Sequence, residues 1–198
     1  MPKTRIYLTG VGGQGTLTAT NLLAQIGLDN GLDVTAGEIH GMAQRGGVVA
    51  STILFGGYQS PKISPGEADI LLGFEPLETY RALCFLAPTG VAVSNSEPIL
   101  PIGVALGREA YPDMETIRKA TDQQADRSFF LPCLSLAKQA GTPQAANIVL
   151  LGALCALELI PISLEQLQTG IRDHLKPKIV DINLRAVELG AAAVTRHD

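Results

Sequence analysis

A chain of 198 residues, 46% hydrophobic and 17% charged, can bury one sizeable core and is too apolar to be intrinsically disordered. Its net charge of −4 leaves no basic footprint for nucleic acid, and the longest apolar run, residues 148–157, falls short of the ~20 residues that cross a membrane. Cys84, Cys133 and Cys155 lie far apart with no CxxC spacing, which argues against a local zinc or iron–sulfur motif and against a disulfide scaffold. Few charges and 21 glycines point to tight helix–sheet packing and some extra apolar surface, for which a partner subunit is one explanation. Met1-Pro2-Lys3-Thr4-Arg5 shows no signal peptide, so a reducing, cytoplasmic setting is expected.

In chain order, residues 6–9 read as a short strand that runs into Gly10, and residues 17–28 carry the apolar spacing of a helix ended by Asn30-Gly31. Residues 33–36 read as a second strand, 38–47 as a polar glycine-rich loop, and 48–55 as a long β-rich run. Gly56-Gly57 signals a hairpin whose chain returns from Tyr58. A buried strand over 68–74 precedes a helix over 75–86, with Pro76 at a favourable first-turn position. Residues 90–93 form another strand, with Asn95-Ser96 just past its end. Helix 113–124 and strand 128–131 follow, then helices over 132–140, 146–159, 163–175 and 179–194. Ser163 and Gln166 have the spacing of a capping box.

No repeat or linker divides the chain, so residues 1–198 are expected to form a single domain. Alternating strands and helices predict an α/β fold: a mainly parallel sheet with helices on both faces, Rossmann-like, with an antiparallel excursion at the Gly56-Gly57 hairpin.

Gly10-Val11-Gly12-Gly13-Gln14-Gly15 joins the first strand to the first helix and satisfies GxGxxG at Gly10, Gly12 and Gly15. Glycine lets backbone approach a ligand, and a helix N-terminus offers unpaired N–H groups to a phosphate or carboxylate. The same segment also suits a tight strand-to-helix turn that binds nothing. A dinucleotide reading needs an acid about 20 residues on. Glu38 has that spacing but lies inside a loop with its own pattern.

That loop, Glu38-Ile39-His40-Gly41-Met42-Ala43-Gln44-Arg45-Gly46-Gly47, is the most informative stretch. Arg45 can clamp an anion through two N–H groups, Gly46 lets the backbone come close, and His40 can donate, accept or transfer a proton near neutral pH. The bland alternative has His40 and Arg45 satisfying backbone carbonyls.

The two loops together resemble the gamma subunit or domain of the 2-oxoacid:ferredoxin oxidoreductases. The form His-Gly-Met-Ala-Gln-Arg-Gly-Gly at residues 40–47 is most similar to the indolepyruvate type. Further matches are Glu75-Pro76-x-Glu78-x-x-Arg81, Tyr111-Pro112, the Asn147 helix and Asn183-x-x-Ala186-x-x-x-Gly190, so the resemblance covers nearly the whole chain. It implies an accessory subunit of a complex that decarboxylates aryl pyruvates to acyl-coenzyme A and reduces ferredoxin. Thiamine diphosphate, magnesium and iron–sulfur clusters would sit on a large partner subunit, with coenzyme A as co-substrate. No metal and no resident cofactor is assigned to this chain, which is not expected to be active alone.

On this reading Gly10, Gly12, Gly13, Gln14 and Gly15 form one side of an anion or coenzyme A site. His40, Gln44, Arg45 and Gly46 form the other, and His40 is the single candidate for proton transfer. Alternatives are a gamma subunit of the pyruvate or 2-oxoglutarate type, a free-standing dinucleotide-binding protein, and a scaffold whose glycine loops only pack. Glu78 and Arg81 read as a surface pair, Asn95 as turn chemistry and Asn147 as a helix cap. Cys155 reads as an inert core thiol, and His174 and His197 as surface residues without partners.

Overall fold

The computed structural model describes residues 3–40 and 47–194, the side chains of Ile39 and His40 excepted. Six strands form one sheet: β1 (Thr4–Val11), β2 (Val34–His40), β3 (Val48–Phe55), β4 (Ala68–Gly73), β5 (Leu86–Asn95) and β6 (Arg127–Leu131). Their spatial order is β2-β3-β1-β4-β5-β6. The pairs β1–β4, β4–β5 and β5–β6 are parallel, whereas β3 runs antiparallel to both β1 and β2.

Strand periodicity divides the core between the two faces. Ile6, Leu8, Ile53, Ile70, Leu72 and Val93 face one side. There they meet α1 (Thr16–Asp29), α5 (Cys133–Ala140), α6 (Ala146–Ala156), α7 (Leu164–His174) and α8 (Pro177–Val194). Tyr7, Leu54, Leu71 and Ala92 face the other side. They pack there with α2 (Pro76–Ala82) and the following single 3-10 turn, Leu83–Phe85, where Tyr7 and Phe85 stack with centroids 4.3 Å apart. A short helix α3 (Ile102–Ala105) and α4 (Met114–Gln124) lie between β5 and β6 in sequence. Helices on both faces of a mostly parallel sheet are the architecture predicted.

The antiparallel excursion is present but misplaced by sequence reasoning. Gly56 and Gly57 end β3, yet no strand returns from Tyr58. The antiparallel pairing is instead made by β3 with its neighbours β2 and β1. Thr35 Oγ1 donates to Tyr58 O and Thr52 Oγ1 to Pro61 O, so residues 58–61 cross β2 and β3 on side-chain bonds. Pro61, having no N–H, could not extend a ladder. Pairing with β3 also carries β2 on to His40, so residues 38–40 are strand, not loop.

Helices α6 and α8 cross in backbone contact. A Cβ on Gly190 would lie 1.9 Å from Val149 O, and one on Gly152 would lie 2.4 Å from Val187 O. Asn183, Ala186 and Gly190 share the facing stripe of α8 by their i, i+3, i+7 spacing. Gly190→Ala should therefore lower the unfolding free energy by about 1–3 kcal/mol through overpacking. Denaturant unfolding measures this, and an unchanged midpoint would show that α8 can shift away without cost.

Candidate functional site

The glycine loop ends β1 at the carboxyl edge of the parallel strands. Its turn is closed by Gln14 N–H donating to Val11 O at 3.1 Å. The Gln14 side chain does more: Oε1 accepts from Val11 N–H at 2.6 Å and Nε2 donates to Phe74 O at 2.9 Å. Gln14 is thus a strut between the ends of β1 and β4, and its side-chain amide is engaged within the fold. Gly10 lies within β1, where a Cβ would meet Gln14 Oε1 at 2.8 Å and Phe74 Cβ at 2.9 Å. Gly15 caps α1 at φ +81 with no side-chain cap, and a Cβ there would lie 2.6 Å from Asn147 Nδ2. Gly13, at φ +103, faces open space.

Gly12 N–H donates to Gly47 O at 2.9 Å, so it is not free for a ligand either. The donors left are those of Gly13, Gly15 and the first turn of α1, where the helix end favours negative charge. The same bond places the end of the second loop against the first. Val11 lies opposite Val48 in the β1–β3 register, and His40 opposite Val49 in β2–β3. Both ends of the segment 41–46 therefore meet the glycine loop's edge of the sheet. Gln44, Arg45 and Gly46 lie outside the described residues, as do the His40 side chain and His197.

A cavity of about 530 Å3 opens beside the glycine loop. Gly12, Gly13, Gln14, Gly15 and Thr18 form one wall. Ile99, Leu134, Ile148, Leu150, Ile179 and Ile182 make most of the remainder apolar, with Asn95, Asn147 and Asn183 as polar points. Its size and mixed lining suit a small organic ligand.

Asn95 is more than a turn residue. It is buried, accepts from Glu97 N and Cys133 N, and donates to Glu97 O and Phe74 O. Asn147 does not cap α6. It sits inside the helix and donates to Gly15 O at 3.3 Å, because α6 packs directly behind the glycine loop.

Beside this edge lies a buried acidic group, formed by the two sequence motifs at 75–81 and 111–112. Glu75 caps α2 by accepting from Glu78 N–H at 2.9 Å, and accepts from the Tyr111 hydroxyl at 2.5 Å. Glu78 is buried, which corrects the surface-pair reading. Its Oε1 binds Arg81 Nη1 at 2.7 Å, while Oε2 has no hydrogen-bond partner among the described residues. Arg81 also binds Glu109. Burial holds both carboxyls above the usual range, offset at Glu75 by the Tyr111 hydroxyl and at Glu78 by Arg81. Burial and the Glu75 carboxylate together push the Tyr111 hydroxyl up. His174 has a partner after all, Asp29 at 2.5 Å, which ties the C-terminal ends of α7 and α1.

Glu38 lies on β2, which β3 separates from β1. Two strand spacings amount to about 10 Å. This removes the adjacency to the glycine loop on which ribose recognition by a dinucleotide fold depends. Burial pushes the Cys155 thiol up to about 12 and the Cys133 thiol higher still. Among the described residues no three His, Cys, Asp or Glu side chains gather as metal ligands. These residues do not fit an iron–sulfur cluster.

The uncapped glycine turn and the cavity lie at the carboxyl edge of the parallel strands, the place where α/β sheets bind their ligands. The family described as pyruvate ferredoxin/flavodoxin oxidoreductase matches residues 5–193. The indolepyruvate oxidoreductase subunit IorB of Thermococcus kodakarensis is 39% identical over 98% of this chain and 96% of its own length. The oxoacid ferredoxin oxidoreductase gamma subunit of Geobacter sulfurreducens superposes with a TM-score of 0.71 at 22% identity, covering 98% of this chain and 99% of that one. The 2-oxoglutarate:ferredoxin oxidoreductase of Magnetococcus marinus, solved with 2-oxoglutarate, coenzyme A and succinyl-CoA bound, gives 0.73 at 19% identity. That match covers 99% of this chain and 32% of that one. The chain belongs to the pyruvate ferredoxin/flavodoxin oxidoreductase family. The class expected from its motifs, a subunit of an oxoacid:ferredoxin oxidoreductase, agrees with these matches.

Two outcomes follow from this geometry. Gln14→Ala should cost roughly 1–3 kcal/mol, because it leaves the strand-end donor and acceptor unpaired. It should also speed amide hydrogen exchange at Val11. An unchanged exchange rate would deny the strut.

The second concerns pH. A carboxyl whose folded pKa is raised above its ordinary value near 4.5 contributes stability fully below that value and loses it as pH rises through the folded value. Glu75→Gln keeps an acceptor for Tyr111 without the charge. Its stability relative to the parent should rise with pH above about 4.5, as read by denaturant unfolding across pH 4 to 8. A flat difference would mean that Glu75 titrates alike in both states.

Proposed function

We propose that this chain is the accessory subunit of an indolepyruvate-type oxidoreductase. On this reading the complex oxidatively decarboxylates aryl pyruvates to acyl-coenzyme A and passes the electrons to ferredoxin. The observation that carries the reading is identity of 39% to an IorB subunit along almost the entire chain, second loop included. The large partner subunit holds the thiamine diphosphate, magnesium and iron–sulfur clusters, and the whole complex is cytoplasmic.

This chain contributes binding chemistry, acting as one domain over residues 1–198. The donors of Gly13 and Gly15 and the α1 N-terminus receive an anionic group of coenzyme A, while Gly10 and Gln14 keep the turn in shape. Gly12 holds the second loop against the first through Gly47. Arg45 adds a cation from that loop, and Gln44, Gly46 and His40 add hydrogen bonds and close approach, with His40 positioning the ligand or moving a proton. The apolar lining of the cavity and the adjacency of the two loops support this assignment.

The test is recovery of the tagged chain from its host, then assay of the recovered complex. The expected result is a larger iron-rich companion and ferredoxin reduction that is fastest with indolepyruvate. Faster turnover of pyruvate or 2-oxoglutarate would move the chain to those types. Arg45→Ala should raise KM for coenzyme A about tenfold with little change in KM for the oxo acid. An equal change in both would place Arg45 elsewhere.

A further inference from the structure

Residues 98–107 consist of Pro, Ile, Leu, Gly, Val and Ala alone, with no charged or hydrogen-bonding side chain. Such a run belongs in a core. Here only Pro101 is buried, and α3 has no buried residue at all. Leu100, Ile102 and Leu106 are 54%, 49% and 58% exposed. A single exposed leucine is ordinary, whereas three large apolar side chains on one short segment mark a surface that something covers.

The segment is held out rather than left to collapse. Where it leaves β5, the Asn95 side chain bonds both the N–H and the carbonyl of Glu97. The Glu97 carboxylate in turn accepts from the N–H and the hydroxyl of Ser135 in the first turn of α5. Where the segment returns, Arg108 N–H donates to Gly103 O at 2.9 Å, Glu109 binds Arg81 on α2, and the Tyr111 hydroxyl reaches Glu75. Glu97, Arg108 and Glu109 therefore flank an apolar centre, and an apolar centre with a polar rim is the anatomy of a protein interface. A ridge fixed beforehand also lowers the ordering cost of association.

The chemistry of the site says which body sits there. Ile99, at the inner end of the segment, lines the cavity, and so does Ile179, another exposed apolar side chain. The apolar surface is thus continuous with the cavity wall. Among the described residues no set of metal ligands gathers, so in an oxoacid:ferredoxin oxidoreductase the redox groups reach this cavity on another chain. A membrane surface is a poorer match, because the segment holds no Lys or Arg to meet anionic headgroups and the chain has a net charge of −4.

We infer that residues 98–107 are the docking ridge for the large, redox-carrying subunit of the complex, which on seating there closes over the cavity. This rests on the accessory-subunit reading above and adds to it the surface through which the two chains meet.

Recovery of the larger companion with the tagged chain tests this. Ile102→Glu and Leu106→Glu together should lower that recovery about tenfold. Leu28→Glu, at a position 56% exposed near the end of α1, should leave it unchanged. Hydroxyl-radical labelling of the unmodified complex decides the matter should the double variant fail to fold: Leu100, Ile102 and Leu106 should be labelled far more slowly than Leu28. Undiminished recovery with the folded double variant, or labelling as fast as at Leu28, overturns the ridge while the accessory-subunit reading stands. A double variant that loses self-association and still recovers the companion assigns the ridge to a second copy of this chain, and this also overturns the proposal. Recovery of the unmodified chain without any larger companion overturns both readings.

Discussion

The carboxyl edge of the sheet is laced by side-chain amides, and the site depends on that lacing. Gln14 joins Val11 to Phe74, Asn95 reaches the same Phe74 carbonyl, and Asn95 Oδ1 receives the N–H of Cys133. Three hops thus tie the ends of β1, β4, β5 and β6. Each bond is worth only ~0.5–1.5 kcal/mol net. The cost of removing a buried member is larger, because backbone groups on two strands lose their partner together. Parallel strands end without a hairpin to join them, so something else must fix their relative heights. Here two short polar side chains do so, and the cavity opens directly behind them.

The second constraint is the close crossing of α6 and α8. A Cβ at Gly190 or Gly152 would enter the opposing backbone, so the helices meet closer than larger side chains allow. This draws the N-terminal half of α8 over the end of the sheet, with Ile179, Ile182 and Asn183 lining one side of the cavity. Asn147, near the start of α6, reaches Gly15 from behind. The glycine loop is therefore clamped between the amide lacing in front and the apolar helix at its back. What remains exposed are the Gly13 turn and the uncapped first turn of α1, the parts that a ligand can use.

Much of the fold was legible because it rests on local pattern. β3 was found over residues 48–55 at full length, and the Ser163–Gln166 capping box forms as its spacing predicts. The differences share a cause, since each depends on packing or bonding between parts of the chain distant in sequence. The sequence around Gln14 points to a ligand donor, because nothing near it reveals Phe74 sixty residues away. The i, i+3 spacing of Glu78 to Arg81 predicts an exposed pair, but that rule describes a helix surface and says nothing of what covers it. Asn147 reads as a helix cap from its place before an apolar run, whereas it lies inside α6 and bonds Gly15 O across 132 residues. The available signal is the setting of the two asparagines: Asn147 opens an apolar, buried helix, and Asn183 falls on the stripe of α8 that carries Ala186 and Gly190.

The position of β3 explains why a GxGxxG turn here need not imply a dinucleotide. In a dinucleotide fold the strand after the first helix lies beside β1, and its terminal acid reaches the ribose. Here that place is taken by β3, running the opposite way, and β2 is displaced to the sheet edge. The displacement removes the acid from reach but creates something else. β2 runs in the direction of β1 and β3 returns, so the connection between them must turn at the carboxyl edge. Gly47 then meets Gly12 without any further device. An antiparallel insertion thereby exchanges a ribose acceptor for a second connection at this edge, whose last residue, Gly47, is bonded to the glycine loop.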